Sequence, residues 1–316
     1  MMIIDLGRKN NCDKRTINEM SEQIYSASHD LGFYYIKAHA IEQAMISEIL
    51  RLSEAFFSLP VNEKMKYDIT KTKHVRGYGG FDSEQLDPKN PADYKESYDI
   101  GYPLPEHHQD VINDVPLRGA NVYPSIDGWK ETFESYYNHM HCLSVDMLKL
   151  YSISLGLSSE YFSSRLVEPL SKLRVLRYSP RPEHNVMGVN DILAGAHTDY
   201  GLFTILWQDH TGGLQVEKDG VWIDIPYVPG TFIVNTGDMF VRYTAGFFRS
   251  SKHRVVKNSE SFRYSIPFFV EPNPKTIIST LPSFGSSRGS AKFEPVTAID
   301  YMIGRFNETY PSRTSR

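Results

Sequence analysis

The sequence of 316 residues has few cysteines and no long apolar run. Its two cysteines, Cys12 and Cys142, lie far apart and neither belongs to a C-x-x-C pair, which argues against a disulfide framework or a structural zinc site. We expect two reduced thiols. No apolar stretch reaches the roughly 18 residues of a membrane-spanning helix, and Asp5 and Arg8 interrupt the first apolar run too early for a signal peptide. The sequence therefore predicts a cytoplasmic protein without a membrane partner.

The sequence also lacks a strong charge of either sign. Its formal net charge is −4, and its basic residues are scattered, so we expect neither nucleic acid nor an anionic membrane as a partner. Hydrophobic residues make up 41% and charged residues 23%, which is ordinary for a globular chain long enough to bury a full core. The oligomeric state does not follow from the composition.

The first half of the chain has the periodicity of helices. Apolar residues recur at steps of three and four up to Pro60, which indicates one amphipathic helix: Ile41, Met45, Ile49, Leu52 and Phe56. A second helix is predicted over about 125–155, with Ser125 as its N-cap and Gly156 just beyond its end. Residues 70–125 are rich in Gly, Pro, Asp and Asn, and we expect loops with short strands there.

The second half has the pattern of a β-protein. Turn residues separate short runs rich in β-formers, at 173–178, 202–208, 214–218, 221–225, 231–235, 239–243, 253–256 and 264–270. Asp219-Gly220 between two of these runs predicts a two-residue hairpin. Many short strands joined by turns favour a sandwich or jelly roll, with a helix at 298–310 after it.

A possible metal site follows an extended run at 192–196. His197 and Asp199 are two residues apart, so in extended backbone both side chains point to one face. His253, just before another predicted strand, is the best third ligand. Two histidines and one carboxylate form the facial triad of non-haem iron(II) oxygenases. A hydrolytic zinc site is the metal alternative, although no H-E-x-x-H helix supports it. The other alternative is a turn pair that binds no metal.

A possible anion site follows His253. In the predicted strand, Arg263 and Ser265 share one face and Tyr264 points away. A guanidinium group and a hydroxyl suit a carboxylate, and a dicarboxylate such as 2-oxoglutarate needs such an anchor. The alternative is an exposed arginine on a surface strand, which the apolar residues 266–270 argue against.

These elements occur together with several further motifs. In chain order, the motifs are MIIDL at 2–6, GFYYI at 32–36 with His39 and Ile41, FFSLP at 56–60 with Glu63 and Lys64, GYG at 77–79, KESYDIG at 95–101, GGLQV at 212–216 and NTGD at 235–238. Over nearly its whole length the chain resembles the isopenicillin-N-synthase-like 2-oxoglutarate/Fe(II)-dependent dioxygenases.

The resemblance implies a mainly β fold with flanking helices and a double-stranded β-helix core, the cupin-like jelly roll. We expect one oxygenase domain over residues 1–316, with a helical N-terminal region at 1–165 and the Fe(II)/2-oxoglutarate core plus the C-terminal helix at 166–316. His197, Asp199 and His253 would hold Fe(II), and Arg263 and Ser265 would orient 2-oxoglutarate. No further catalytic group is expected.

The resemblance also implies a reaction, the hydroxylation of a small-molecule metabolite by dioxygen with release of succinate and CO2. The alternatives within iron chemistry are oxidative cyclisation, desaturation or fragmentation. A catalytically inactive small-molecule binding barrel is the alternative outside enzymology. The sequence does not name the prime substrate.

One motif differs from the pattern of the family. Many plant members carry Asn-Tyr-Tyr-Pro where this chain has Arg177-Tyr178-Ser179-Pro180, so Ser179 replaces a tyrosine that helps to hold 2-oxoglutarate. Arg177 could face the active site and bind an acidic substrate group, or pair with a carboxylate at the rim of the barrel.

Three further residues are substrate-pocket candidates. Tyr200 follows Asp199 directly, and Phe268 follows Arg263 in the same predicted strand; for both, a place in the packed core is the alternative. Glu84 lies in the predicted loop region, where a solvated carboxylate is the alternative.

Overall fold

The computed structural model describes residues 1–7, 13–71, 73–87, 92–179, 192–256, 261–285 and 293–309. Cys12, Pro180 and Tyr310, which figure in the sequence predictions, lie outside these ranges. Among the described residues, no helix combines the length and the apolar character needed to cross a membrane.

The strands, in chain order, are β1 (Ile3–Asp5), β2 (Phe33–Lys37), β3 (Gly77–Gly79), β4 (Lys95–Gly101), β5 (Lys172–Tyr178), β6 (Ile192–His197), β7 (Phe203–Gln208), β8 (Leu214–Lys218), β9 (Val221–Asp224), β10 (Thr231–Thr236), β11 (His253–Val256), β12 (Arg263–Val270), β13 (Ile277–Ile278) and β14 (Val296–Thr297). The helices are α1 (Lys14–Asp30), α2 (Gln43–Phe57), α3 (Val61–Lys64), α4 (Gln109–Ile112), α5 (Trp129–Ser154), α6 (Glu160–Ser163), α7 (Asp238–Tyr243), α8 (Pro282–Gly285) and α9 (Ala298–Thr309).

Two sheets form the core of the fold. In the described part of the chain, the major sheet has eight strands in the order β1-β2-β10-β7-β12-β5-β4-β3, and the minor sheet has four in the order β6-β11-β8-β9. One cavity takes its lining residues from both sheets, so the two sheets face each other across it. This is the predicted jelly roll, and its interior is the place where side chains of both sheets can meet.

The N-terminal half contributes more strand than the sequence predicts. Strands β1 to β4 all belong to the major sheet, and β4 is buried along its whole length. Its sequence, KESYDIG, places charged residues on both faces, whereas an ordinary half-buried strand alternates polar and apolar residues. The charges of β4 are paired inside the protein, and that pairing is not visible in a pattern of hydrophobicity.

Three helices differ from the sequence predictions. Residues 239–243, predicted as a strand, belong to α7, because a run of five residues with four apolar members fits either a short helix or a strand. Helix α1 was not predicted, since most of its residues are polar; Asp13 caps it by accepting a hydrogen bond from the main-chain nitrogen of Thr16 at 2.9 Å. Helix α5 begins at Trp129 rather than Ser125, after Gly128 with φ of 78°.

Helix α5 organises the packing behind the major sheet. It contacts α1, α2 and β12. At its start, Trp129 stacks on Phe133 with 4.2 Å between ring centroids and also contacts Phe56 of α2 and Tyr98 of β4. Phe56 is fully buried at this junction of α2, α5 and β4. The junction holds α2 and α5 against β4, the strand that carries much of the charge around the cavity.

Replacing Phe56 by Ala should lower the free energy of unfolding by about 3–5 kcal/mol, because it leaves a cavity among packed rings. Val61, which is 65% exposed, provides the control, and Val61→Ala should change the value by no more than about 0.5 kcal/mol. Chemical denaturation measures both. Equal effects of the two substitutions would contradict the packing described here.

Candidate metal centre and cosubstrate pocket

The pairing of β6 with β11 brings two histidines together. The strands are antiparallel, and His197 lies directly opposite His253, with 4.3 Å between ring centroids. The Nδ1 atom of His197 lies 2.8 Å from the carbonyl oxygen of Gly195, and that of His253 lies 3.2 Å from the carbonyl oxygen of Ser251. Because a carbonyl only accepts, each Nδ1 carries the hydrogen. The lone pair of each ring is therefore on Nε2.

Asp199 is held so that one carboxylate oxygen faces these rings. Its Oδ2 accepts hydrogen bonds from Thr204 Oγ1 at 2.5 Å and from Asn235 Nδ2 at 2.7 Å. Its Oδ1 lies 3.7 Å from His253 Nε2 and 4.0 Å from His197 Nε2. Thr204 and Asn235 are partners on neighbouring strands of the major sheet, so both sheets contribute to the centre.

The three side chains offer a metal-binding donor set. One ligand atom from each of His197, Asp199 and His253 lies within 4.8 Å of the others. Burial and the nearby His253 lower the pKa of His197 to about 4, so the ring is neutral at pH 7. Burial alone would raise the pKa of Asp199, but the two histidines and the hydrogen bonds from Asn235 and Thr204 lower it, so it is ionised. Two imidazoles and a carboxylate fit a divalent iron ion with open positions.

The NTGD motif supports the centre from behind. Asn235 orients Asp199, and the main-chain nitrogen of Asp238 donates to the carbonyl oxygen of Asp199 at 2.8 Å. A Cβ atom on Gly237 would lie 2.3 Å from the carbonyl oxygen of Gly201. Only glycine fits so close to the turn that carries the metal carboxylate.

Arg263 and Ser265 lie in the same cavity as the three metal-binding candidates. Arg263 is 2% exposed, and its guanidinium group donates to the carbonyl oxygen of Gly212 at 2.5 Å and to Gln208 Oε1 at 3.0 Å. It also lies 3.2 Å from Ser265 Oγ and stacks over the ring of Tyr178, 4.8 Å from its centroid. In the described part of the chain, no carboxylate pairs with it. A buried cation without an anion is a site for an anionic ligand.

The cavity face of each strand follows the two-residue period. On β12 it carries Arg263, Ser265, Pro267 and Phe269, and on β5 it carries Lys172, Arg174, Leu176 and Tyr178. Tyr200 lines the cavity next to the metal-binding candidates, and Met302 and Phe306 of α9 line it from the C-terminal end of the chain. The donor set and the anion site thus open into one space.

Comparisons with known proteins agree with this geometry. Residues 2–126 match the family described as non-haem dioxygenase in morphine synthesis N-terminal, and residues 170–272 match the 2OG-Fe(II) oxygenase superfamily. A "Probable iron/ascorbate oxidoreductase" of Dictyostelium discoideum is 38% identical over 298 residues, 86% of this chain and 81% of its own. A "2-oxoglutarate-dependent dioxygenase" of Didymella fabae is 32% identical over 301 residues, 92% of this chain and 91% of its own.

The chain belongs to the 2-oxoglutarate/Fe(II)-dependent dioxygenases. It is therefore a non-haem iron oxidoreductase whose family uses Fe(II), 2-oxoglutarate and dioxygen. A solved structure supports the fold: a full-length protein of Neurospora crassa in complex with alpha-KG and thymine has a TM-score of 0.85 at 27% identity, covering 98% of this chain and 96% of its own. The predicted family and jelly-roll fold are confirmed.

Two of the substrate-pocket candidates lie elsewhere in this dioxygenase. Arg177 points to the side of β5 away from the cavity, where its Nε donates to Glu96 at 3.0 Å and its Nη2 donates to the carbonyl oxygen of Phe57 at 2.9 Å. Phe268 lies on the helix side of β12 and packs on Tyr137 of α5. Both places in the substrate pocket are wrong and the alternatives hold, since Arg177 pairs with a carboxylate and Phe268 lies in the packed core. The cause is the same for both, because residues at odd numbers on β5 and at even numbers on β12 face away from the cavity.

The other two substrate-pocket candidates line the cavity. Tyr200 contacts Phe306 of α9, with 6.2 Å between ring centroids, and Arg305 lies over the Tyr200 ring. Glu84 is 8% exposed, so it is not a solvated carboxylate, and it accepts hydrogen bonds from Arg174 at 2.9 and 3.1 Å.

Several residues of the dioxygenase site were not predicted. Gln208 and Tyr178 contact Arg263, and Thr204 and Asn235 hold Asp199. Asn235 belongs to the NTGD motif, which does not by itself indicate a contact with Asp199. The contact of Tyr178 with Arg263 depends on which strand pairs with the strand of Arg263 and Ser265, and in which register. Side-chain alternation along one strand does not give that information.

Replacing His197 by Ala should weaken the binding of Fe(II) by more than about 100-fold, since loss of a ligand costs more than loss of an outer hydrogen bond, which itself costs about 10- to 100-fold. Anaerobic equilibrium dialysis measures the affinity. His210, which is exposed, provides the control, and His210→Ala should bind Fe(II) like the wild-type enzyme. Unchanged affinity in His197→Ala would remove this residue from the metal centre.

Proposed function

We propose that His197, Asp199 and His253 hold Fe(II) and that Arg263 and Ser265 bind the far carboxylate of 2-oxoglutarate. The observation that carries the proposal is the buried guanidinium of Arg263, unpaired by any carboxylate in the described ranges, in one cavity with the three-donor set. An isolated buried charge is costly, so the fold is suited to a ligand that brings the opposite charge.

Each group has a defined task in this proposal. Gly212 and Gln208 hold the Arg263 guanidinium in place with hydrogen bonds, and Ser265 adds a hydroxyl beside it. The Nδ1 hydrogen bonds of the two histidines keep their Nε2 lone pairs available. The bound iron supplies the activation of dioxygen, and the protein binds, orients and shields the reactants.

The proposed reaction is the hydroxylation of a small molecule. One oxygen atom of dioxygen enters a C–H bond of the prime substrate, and the other enters the succinate that forms as 2-oxoglutarate loses CO2. The Neurospora crassa protein was solved with thymine, a small molecule, and this chain resembles it over nearly all of both chains. The cavity beyond the metal-binding candidates, between Tyr200, Phe269 and Phe306, suits a substrate of similar kind.

Other outcomes at the same iron centre are oxidative cyclisation, desaturation and fragmentation, and an inactive binding barrel is a further alternative. Product analysis separates them: hydroxylation adds one oxygen atom to the substrate, desaturation removes two hydrogens, and an inactive barrel releases no succinate. Cytoplasmic location and the absence of nucleic-acid partners stay predictions from composition.

Arg263→Ala should weaken the binding of 2-oxoglutarate by roughly 10- to 100-fold, because it removes a charge-assisted hydrogen bond, and it should leave Fe(II) affinity nearly unchanged. Anaerobic isothermal titration calorimetry measures both affinities. Arg249→Ala, at an exposed arginine, is the control. If Arg263→Ala bound 2-oxoglutarate as tightly as the wild-type enzyme does, the anchor would lie elsewhere in the cavity.

A further inference from the structure

The wall of the cavity formed by β4 and β5 carries buried charges that neutralise one another. Arg174 donates to Asp99 at 2.7 and 2.8 Å and to Glu84 at 2.9 and 3.1 Å. Lys172 lies 3.1 Å from the same Asp99 carboxylate. Burial alone would raise the pKa of Glu84 and Asp99, but these cations lower it, so both are ionised.

Lys95 completes this charged wall. It lies 3.0 Å from Glu84 and forms a second, shorter ion pair with Asp93. Asp93 in turn accepts a hydrogen bond from the main-chain nitrogen of Gly195 at 2.9 Å. Three cations and three carboxylates thus satisfy each other, and none of these cations is left over for a ligand.

Glu271 is the exception among the carboxylates of the cavity. It is 5% exposed and lines the cavity just beyond the end of β12. Within the described ranges, no side chain forms a hydrogen bond or an ion pair with its carboxylate. Burial raises its pKa to about 8, although Lys172 and Arg76 act in the opposite direction. A ligand cation would favour its ionised form.

The position of Glu271 is built into the fold. Its main-chain nitrogen donates to Ser171 Oγ at 3.0 Å, and its carbonyl oxygen accepts from the same hydroxyl at 3.0 Å. A Cβ atom on Gly201 would lie 3.1 Å from Glu271 Cγ, so the glycine two residues after Asp199 leaves room for this side chain. Glu271 therefore stands beside the turn that follows the metal-binding candidates.

The cations that lower the pKa of Glu271 form no ion pair with it among the described residues. Lys172 and Arg174 are bonded to Asp99. Arg76 donates to the carbonyl oxygens of His74 and Val75 and is not among the residues that line the cavity. The unpaired carboxylate is therefore open on the side of the cavity.

The register separates Glu271 from the 2-oxoglutarate anchor. On β12, Phe269 lies opposite Thr204, which bonds the metal-binding candidate Asp199, and Glu271 lies two residues further on. Arg263 lies six residues away in the other direction along the strand. Along the chain, Arg263 and Glu271 thus lie on opposite sides of the β12 position that is level with Asp199.

We infer that Glu271 binds a cationic nitrogen group of the prime substrate, such as an ammonium, amidinium or guanidinium group, and so selects cationic small molecules. The inference rests on the proposed function, since it takes the cavity beside the metal centre as the substrate site. Apolar faces of Phe269 and Phe306 nearby suit the hydrocarbon part of such a molecule. An anionic substrate would meet cations that already have partners, and it would gain no ion pair with Glu271.

The first test is a screen of small metabolites balanced between cationic, neutral and anionic members. It includes pairs of similar shape and different charge, butylguanidine with butylurea and putrescine with 1,4-butanediol, and thymine as a neutral polar compound. Wild-type enzyme with Fe(II), 2-oxoglutarate and air is assayed for stimulated succinate release. We expect the best stimulator to be cationic and its uncharged counterpart to be at least about 10-fold weaker.

The second test uses Glu271→Gln with the cationic compound so identified. Without oxygen, and with Mn(II) and 2-oxoglutarate bound, calorimetry should give a dissociation constant about 10- to 100-fold higher than for the wild-type enzyme, because a charge-assisted contact is lost. The uncharged counterpart should bind both proteins almost equally. Glu271→Asp should recover part of the affinity, and Glu106→Gln, at an exposed carboxylate, is the control.

Thermal unfolding checks that the variant is folded. Glu271→Gln removes an unpaired buried acid, so it should not lower the melting temperature. A neutral or anionic best stimulator, or a cationic one that binds Glu271→Gln as tightly as the wild-type enzyme, would overturn the inference. So would a wild-type enzyme that binds 2-oxoglutarate but responds to no cationic compound. Failure to bind 2-oxoglutarate at all would contradict the proposed function, and this inference with it.

Discussion

Each charged group buried inside the barrel needs an opposite charge or hydrogen bonds, and this constraint determines where ligands can bind. The desolvation of a buried ionised group costs roughly several kcal/mol unless an opposite charge or hydrogen bonds compensate it. Most buried charges in the described part of the chain are compensated within the protein; for example, Arg177 donates to Glu96 and Arg174 donates to Asp99. Among the described residues, Arg263 has only neutral partners, and it lies in the same cavity as the donor set of the metal centre.

The register of the strands in the two sheets brings the side chains of the site together in the cavity. Pairing of β6 with β11 places His197 opposite His253, and the major sheet supplies the hydrogen bonds that turn Asp199 toward them. Because side chains alternate across a strand, the same sheet presents Arg263 to the cavity and Phe268 to the helices. A shift of one residue in β12 would exchange these roles and leave the cavity without its cation.

The sequence predicted the parts of the site that depend on local spacing. His197 with Asp199, and Arg263 with Ser265, are two-residue patterns, and the motifs around them indicated the family. Arg177 could not be assigned, because its face depends on the register of β5 against β4 and on Glu96 there. The charged strand β4 was hidden for a related reason, since ion pairs between distant segments leave no hydrophobic period.

The central claim is that the three-donor set and Arg263 bind one metal–diacid unit inside the barrel. A crystal structure grown without oxygen, with Mn(II) in place of Fe(II) and with 2-oxoglutarate, tests it most directly. We expect the metal between Nε2 of His197, Nε2 of His253 and Oδ1 of Asp199, and a carboxylate of 2-oxoglutarate within hydrogen-bond distance of Arg263. A metal bound elsewhere, or a diacid that leaves Arg263 without an anion, would contradict it.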